Sequence, residues 1–150
     1  TPSCSLHAMS PLTADLPEAY RRTEYRVADG SYAFVMRVDE PSDSLRTCHF
    51  AHGVESSAFV TACNPRSVPT PDPENEAAMG RLASELEARG YFVLQGRGVD
   101  PTGAWPGEPS FVVLGITEAD AVEIARRFDQ YAIVCAGEDA TPRLVVVQGA

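Results

Sequence analysis

The sequence contains no lysine: its 12 basic side chains are all arginine, set against 21 aspartates and glutamates. The resulting formal net charge of −9 gives a surface that repels phosphate backbones, so nucleic-acid binding through counterion release is not expected. No apolar run approaches the ~20 residues that a membrane-spanning helix needs. Thr1 to Ser10 lacks the basic n-region and apolar h-region of an intact secretory signal, and the cytoplasm is the expected compartment. The four cysteines, Cys4, Cys48, Cys63 and Cys135, stand far apart with no CxxC pair, which excludes a zinc ribbon and a thioredoxin-type motif. Free, mostly buried thiols are the expectation in such a chain. There is no GxSxG, HExxH, Walker or paired-carboxylate signature. Gly96-x-Gly98 is too short, and follows the wrong element, for a dinucleotide fingerprint.

What is present is an ordinary globular composition, 44% apolar and 22% charged over 150 residues. That length suits one domain around one core. Residues 1–14, rich in Ser, Pro and Thr, read as a flexible tail, and residues 15–150 as a single α+β domain. Asp15 and Pro17 mark the start of a short helix. Tyr25 to Val27 and Tyr32 to Val38 read as strands around an Asp29-Gly30 turn. Pro41 and Gly53 bracket a helix in which Leu45, Cys48, His49 and His52 share a face.

The stretch Ala58 to Pro69 is the focus of the chain. Ala58 to Cys63 is apolar at nearly every position, the pattern of a strand covered on both faces. It runs into residues 64–73, where Pro65, Pro69, Pro71 and Pro73 make a stiff, extended loop. Asp72 suits the N-cap and Pro73 the first turn of the next helix. Met79, Leu82 and Leu86 form its apolar stripe, Glu85 and Arg89 an i, i+4 pair, and Gly90 its stop. Tyr91 to Leu94 then reads as strand, Gln95 to Pro109 as a Gly- and Pro-rich loop, and Ser110 to Ile116 as strand. A helix capped by Thr117 and the strands Tyr131 to Ala136 and Arg143 to Gln148 complete the chain. Residues 58–135 thus read β-α-β-β-α-β, the split pattern of ferredoxin-like folds. The predicted architecture is a two-layer sandwich, a mixed sheet with helices on one face, carrying an extra N-terminal β-α unit.

Four separated motifs carry a family resemblance: Thr61-Ala62-x-Asn64-Pro65-x-Ser67; Asn75 at the start of a helix ending Arg89-Gly90-Tyr91; Trp105 with Glu108 and Ser110-Phe111; and Arg126-Arg127-Phe128-x-Gln130-x-Ala132-Ile133. Together they resemble a bacterial family catalogued as domain of unknown function 3293, over roughly residues 20–136. The resemblance implies membership and no particular reaction. The chain departs from the family's pattern at Cys63, where Trp is usual, at Asp129, where Gly is common, and before Ser110, where an acidic pair is reduced to Glu108.

Candidate site residues follow from these motifs. Asn64, Arg66 and Ser67 lie just past a strand end, where ligands gather in open α/β sheets; an Asn amide and an Arg fork suit a carboxylate or phosphate. The alternative is an Asx-type turn at Asn64-Pro65, with Ser67 satisfying loop backbone. Trp105, Glu108 and Ser110 occupy a long loop of the kind that often carries function, while Trp105 also suits the edge of the core. Asn75 and Gln130 read as caps or packing links that line the same pocket if the strand ends converge. Cys48, His49 and His52 offer helical metal spacing but no accompanying carboxylate or second cysteine cluster. Cys63 reads as an inert thiol. The function expected is a binding module for a small polar or anionic ligand, with no cofactor, metal, nucleic-acid or membrane partner. Two rivals are an enzyme using Glu108 as general acid or base and a protein-interaction domain anchored by Trp105.

Overall fold

The computed structural model describes residues 16–103 and 107–147; the predicted tail, Asp15 and Trp105 fall outside the described residues. Four helices are described: α1 (Leu16–Arg22), α2 (Asp43–His52), α3 (Asp72–Ala88) and α4 (Glu118–Arg127). Seven strands accompany them: β1 (Glu24–Asp29), β2 (Tyr32–Met36), β3 (Ser57–Val60), β4 (Phe92–Val99), β5 (Glu108–Leu114), β6 (Ala132–Ala136) and β7 (Arg143–Val146). They form one sheet in the order β2-β1-β4-β5-β3-β6-β7. No helix among the described residues is long and apolar enough to cross a membrane.

The sheet is antiparallel at every pairing, which corrects the expectation of a mixed sheet. The reason lies in the connections. Helix α3 carries the chain from β3 to β4, but β5 sits between those two strands; α4 carries it from β5 to β6, with β3 between. Strands that run the same way are therefore never neighbours.

Strand β3 is buried at all four residues, and its alternating side chains divide the core in two. Ala58 and Val60 pack with Val113, Ile133 and Cys135 beneath Leu82 and Leu86 of α3 and Ile124 and Ala125 of α4. Phe59 points the other way, into Val112, Leu114 and Val134, where Leu45 and Cys48 of α2 cover it. Helices on one face were expected; α2 instead closes the opposite face. Strands apolar at both parities need a cover on each side, and the buried stripe of α2 supplies the second one.

The helix ends follow local chemistry. Ser42 Oγ accepts a hydrogen bond from Leu45 N at 3.1 Å, and Thr117 Oγ1 accepts one from Asp120 N at 3.2 Å, each satisfying a first-turn donor. Gly53 and Gly90 end α2 and α3 at φ 65 and 83, where a β-carbon is disfavoured. Helix α3 starts one residue earlier than expected: Pro71 takes the cap position and its carbonyl accepts from Asn75 N at 3.1 Å, placing Asp72 inside the first turn.

The predicted loop Gln95 to Pro109 is strand at both ends. β4 extends to Val99 and pairs with β5 from Phe92↔Leu114 to Gly98↔Glu108. Glycine in a strand marks close approach of another group. A β-carbon on Gly96 would stand 2.8 Å from the Arg26 carbonyl oxygen and 2.9 Å from the Phe59 ring. The glycine therefore permits the β1–β4 pairing and the seating of Phe59.

Two alanine substitutions test this assignment. Gly96→Ala is expected to lower stability by about 1–3 kcal/mol through overpacking. Gly80→Ala, inside α3 with nothing within 4 Å of the new methyl, is expected to raise it by about 0.5–1 kcal/mol. Urea denaturation of both variants checks the pair; a neutral Gly96→Ala would contradict the close packing.

Candidate functional site

Beyond β3 the chain enters a turn that L-residues rarely adopt. Asn64, Arg66 and Ser67 have φ of 48, 56 and 62, and Asp129 across from them has φ 56. Left-handed backbone at such residues costs on the order of 1–3 kcal/mol each and persists only where surrounding contacts enforce it. Here Arg66 N donates to Asp129 O at 2.6 Å and Ser67 N to Asn64 O at 2.8 Å. Gln130 Nε2, buried, donates to Cys63 O at 3.1 Å and to Phe128 O at 3.2 Å. The end of β3 is thereby tied to the corner between α4 and β6.

Asn64 is the hub. Its backbone N donates to Asn75 Oδ1 at 2.9 Å. Its Oδ1 accepts from Thr70 N and from Asn75 Nδ2, both at 3.0 Å, and its Nδ2 donates to Glu108 Oε2 at 2.8 Å. Because backbone N–H groups are donors only, these contacts fix which end of each amide is oxygen. The arrangement is not a local Asx-type turn, since the partners lie 6, 11 and 44 residues away. It joins the proline loop, the first turn of α3 and the start of β5.

Glu108 is consequently held at one oxygen. Its Oε1 accepts no hydrogen bond among the described residues, and no ion pair among them involves it. The residue is half-buried, with its carboxyl in the wall of a cavity. Desolvation pushes its pKa up from 4.5 to about 7, opposed by the Asn64 hydrogen bond. Burial disfavours the carboxylate more than one neutral donor favours it.

The carboxyl borders a cavity of about 590 Å³, within the size range of small-molecule sites. Of the residues singled out from sequence, Asn64, Ser67, Asn75, Glu108, Ser110 and Gln130 line it. Ser110, buried, donates from Oγ to Glu108 O at 3.0 Å, so it props the backbone beside the carboxyl. Arg66 does not line the cavity: its guanidinium lies 3.5 Å from Asp129, and the side chain is 66% exposed. Trp105 lies outside the described residues.

Sequence reasoning missed several wall residues. Tyr20 of α1 places its hydroxyl 3.4 Å from Ser67 Oγ, and burial pushes its pKa up to about 12. Tyr25 of β1 donates to Tyr20 O at 2.7 Å. Met79 Sδ accepts from Ala62 N at 3.3 Å, and Arg97 Nη2 donates to Gly107 O at 3.0 Å. The helical stripe of α3 marked Met79 as apolar, but no local pattern brings α1 to this site. Thr61, in the first family-like motif, closes the wall by donating to Pro109 O at 2.7 Å.

The other nucleophiles and ligating groups have structural partners. Cys63 is buried, its pKa raised by desolvation, with Sγ 3.8 Å from Pro109 O. His49 Nε2 meets Ser57 Oγ at 2.8 Å inside the core, whereas His52 Nδ1 meets Cys48 O at 3.0 Å. Among the described residues no group of three or more His, Cys, Asp or Glu side chains could hold a metal ion.

Residues 60–133 match the model of the family described as Protein of unknown function (DUF3293). This span contains β3's end, the strained turn, α3, Glu108 and Gln130. No curated protein and no solved structure gives a significant match to the chain.

The raised pKa of Glu108 has a stability consequence of definite sign. Folding favours the protonated acid, so its contribution is full below about pH 4.5 and is lost as pH rises towards about 7. Glu108→Gln is therefore expected to match the parent near pH 4 and to exceed it by about 1–3 kcal/mol near pH 8. Urea midpoints at the two pH values measure this; equal stability at both would contradict a desolvated carboxyl.

Proposed function

We propose that the chain, whose residues 60–133 match the DUF3293 family model, is a binding module for a small polar molecule seated beside Glu108. The observation that carries this reading is one carboxyl in the wall of a cavity of about 590 Å³, held at Oε2 by Asn64 and without a partner at Oε1 among the described residues. Ligand pockets typically combine apolar lining with a few placed polar groups. Phe59, Val60, Met79 and Ile133 supply the former and Glu108, Ser67 and Tyr20 the latter.

Asn64 and Asn75 act here as positioning residues. Both side chains are engaged with each other and with Thr70, and Asn64 also with Glu108. Strained backbone at Asn64, Arg66 and Ser67 supports the assignment, since such residues cluster at ligand clamps and active sites. The strand order β4-β5-β3-β6, with α3 and α4 as crossovers, supports reading the core as ferredoxin-like. Three free, buried cysteines among the described residues suit a cytoplasmic protein.

An enzymatic reading is favoured by one specific feature. A carboxyl with a pKa of about 7 is poised to give and take protons at neutral pH. In that reading Glu108 is the general acid or base, and Glu108→Gln keeps ligand binding but loses turnover.

Thermal shift against a broad metabolite panel tests the binding reading. A ligand at 100 times its Kd adds about 2.7 kcal/mol, a rise in Tm of roughly 5–10 °C for a domain of this size. Asn75→Ala, which releases Asn64 and hence Glu108, is expected to weaken that rise. A parent protein that no compound stabilises would sink the proposal.

A further inference from the structure

We propose that the cavity is selective for a small organic cation, a protonated amine whose charge is met by the Glu108 carboxylate. This inference rests on the pocket reading above and assigns its ligand class.

Three observations converge. First, Glu108 is a half-buried carboxyl in the cavity wall with no cationic partner among the described residues, and a charge drawn out of water favours a counter-charge or a proton. Second, the lining is electrostatically one-sided. Asp72 and Glu76 of α3 and Asp100 at the end of β4 accompany Glu108, Asp100 lying 3.7 Å from Arg22. Arg97 is the one guanidinium among the described lining residues; it donates to the neutral Gly107 carbonyl, and its single positive charge stands against the four lining carboxyls. The arginine nearest the turn, Arg66, points away to Asp129. An anion would thus meet carboxylates with little compensation, whereas an ammonium group completes the pair that Glu108 lacks. Third, the wall offers the rings of Tyr20, Tyr25 and Phe59, surfaces that attract a cation or pack against its apolar body.

The proposal predicts coupling to protons. The titratable and charged groups around Glu108 are Tyr20 of α1, Tyr25 of β1, Cys63 after β3, Asp72 and Glu76 of α3, and Arg97 and Asp100 of β4 and its end. Burial raises the pKa of Tyr20, Tyr25 and Cys63, so these groups remain neutral at physiological pH. Binding an amine to the carboxylate form expels the Glu108 proton. With a pKa of about 7, the binding-competent fraction rises roughly tenfold between pH 6 and pH 8, and apparent affinity tightens by the same factor.

The test uses three probes of one shape: benzylamine, benzyl alcohol and benzoate. Isotope-labelled methionine methyl groups report by NMR, with Met79 in the cavity wall and Met36, which does not line it but pairs with the wall residue Tyr25, as a more distant reference. The expected result is a saturable shift of Met79, larger than any at Met36, with benzylamine, roughly tenfold tighter at pH 8 than at pH 6. Benzyl alcohol and benzoate should bind more weakly, and Glu108→Gln should lose both the preference and the pH dependence. The substitution keeps an acceptor for Asn64 Nδ2, and an unchanged Met36 signal reports that it folds. If benzyl alcohol or benzoate moves Met79 as well as benzylamine does, the cation assignment falls and the pocket stands. Benzylamine binding that is indifferent to pH or to Glu108→Gln overturns it equally. If no probe moves Met79 at either pH, the pocket reading fails with it.

Discussion

The burial of β3 on both faces is the constraint on which the remaining structure depends. A strand whose four residues are all buried cannot lie at an edge, so β5 and β6 flank it. It also cannot leave either face open, so α3 and α4 cover Ala58 and Val60 while α2 covers Phe59. The residues that follow β3 therefore emerge from the middle of the sheet. Elements arriving from far along the chain converge there: the first turn of α3, the start of β5 and the corner after α4. The candidate site is where the most constrained strand has to end.

At that point polar chemistry replaces packing. Three residues accept left-handed backbone, each at a cost of the order of 1–3 kcal/mol. A single hydrogen bond returns only about 1 kcal/mol net, so no one contact stabilises the turn. The Asn64 amide, the Asn75 amide and the buried Gln130 amide hold it together as a network. Glu108 sits at the end of this network, where the balance is deliberately unequal: desolvation outweighs one hydrogen bond and leaves the carboxyl midway between its charge states near neutral pH. A rigid scaffold that carries one uncompensated acid into a cavity is a common basis for recognition or proton transfer.

The legibility of these features differs by element. Helices α2, α3 and α4 were readable because their boundary signals and stripes are local: Pro41, Gly53, Gly90 and Thr117 act within a few residues of themselves. The apolar run at β3 likewise announced burial on both faces. The long reach of β4 was not readable, because Gly96 and Gly98 resemble loop residues until the Arg26 carbonyl and the Phe59 ring come up against Gly96. The orientation of Arg66 was equally hidden. Its neighbours in sequence suggest an anion grip, but φ of 56 turns it towards Asp129.

The sequence by itself determined the α+β class, the positions of most helices and strands and the family resemblance, and it grouped Asn64, Arg66, Ser67, Asn75, Trp105, Glu108, Ser110 and Gln130, of which Arg66 stands outside the cavity wall. These depend on periodicity, capping and motif spacing, which act over short distances along the chain. Only the tertiary structure decided that the sheet is antiparallel, that α2 lies on its far face, that Tyr20 and Tyr25 join the cavity, and that Glu108 is desolvated. Each of those depends on which segments meet in space. Desolvation in particular is a property of everything surrounding a group, and no residue carries it in its own identity.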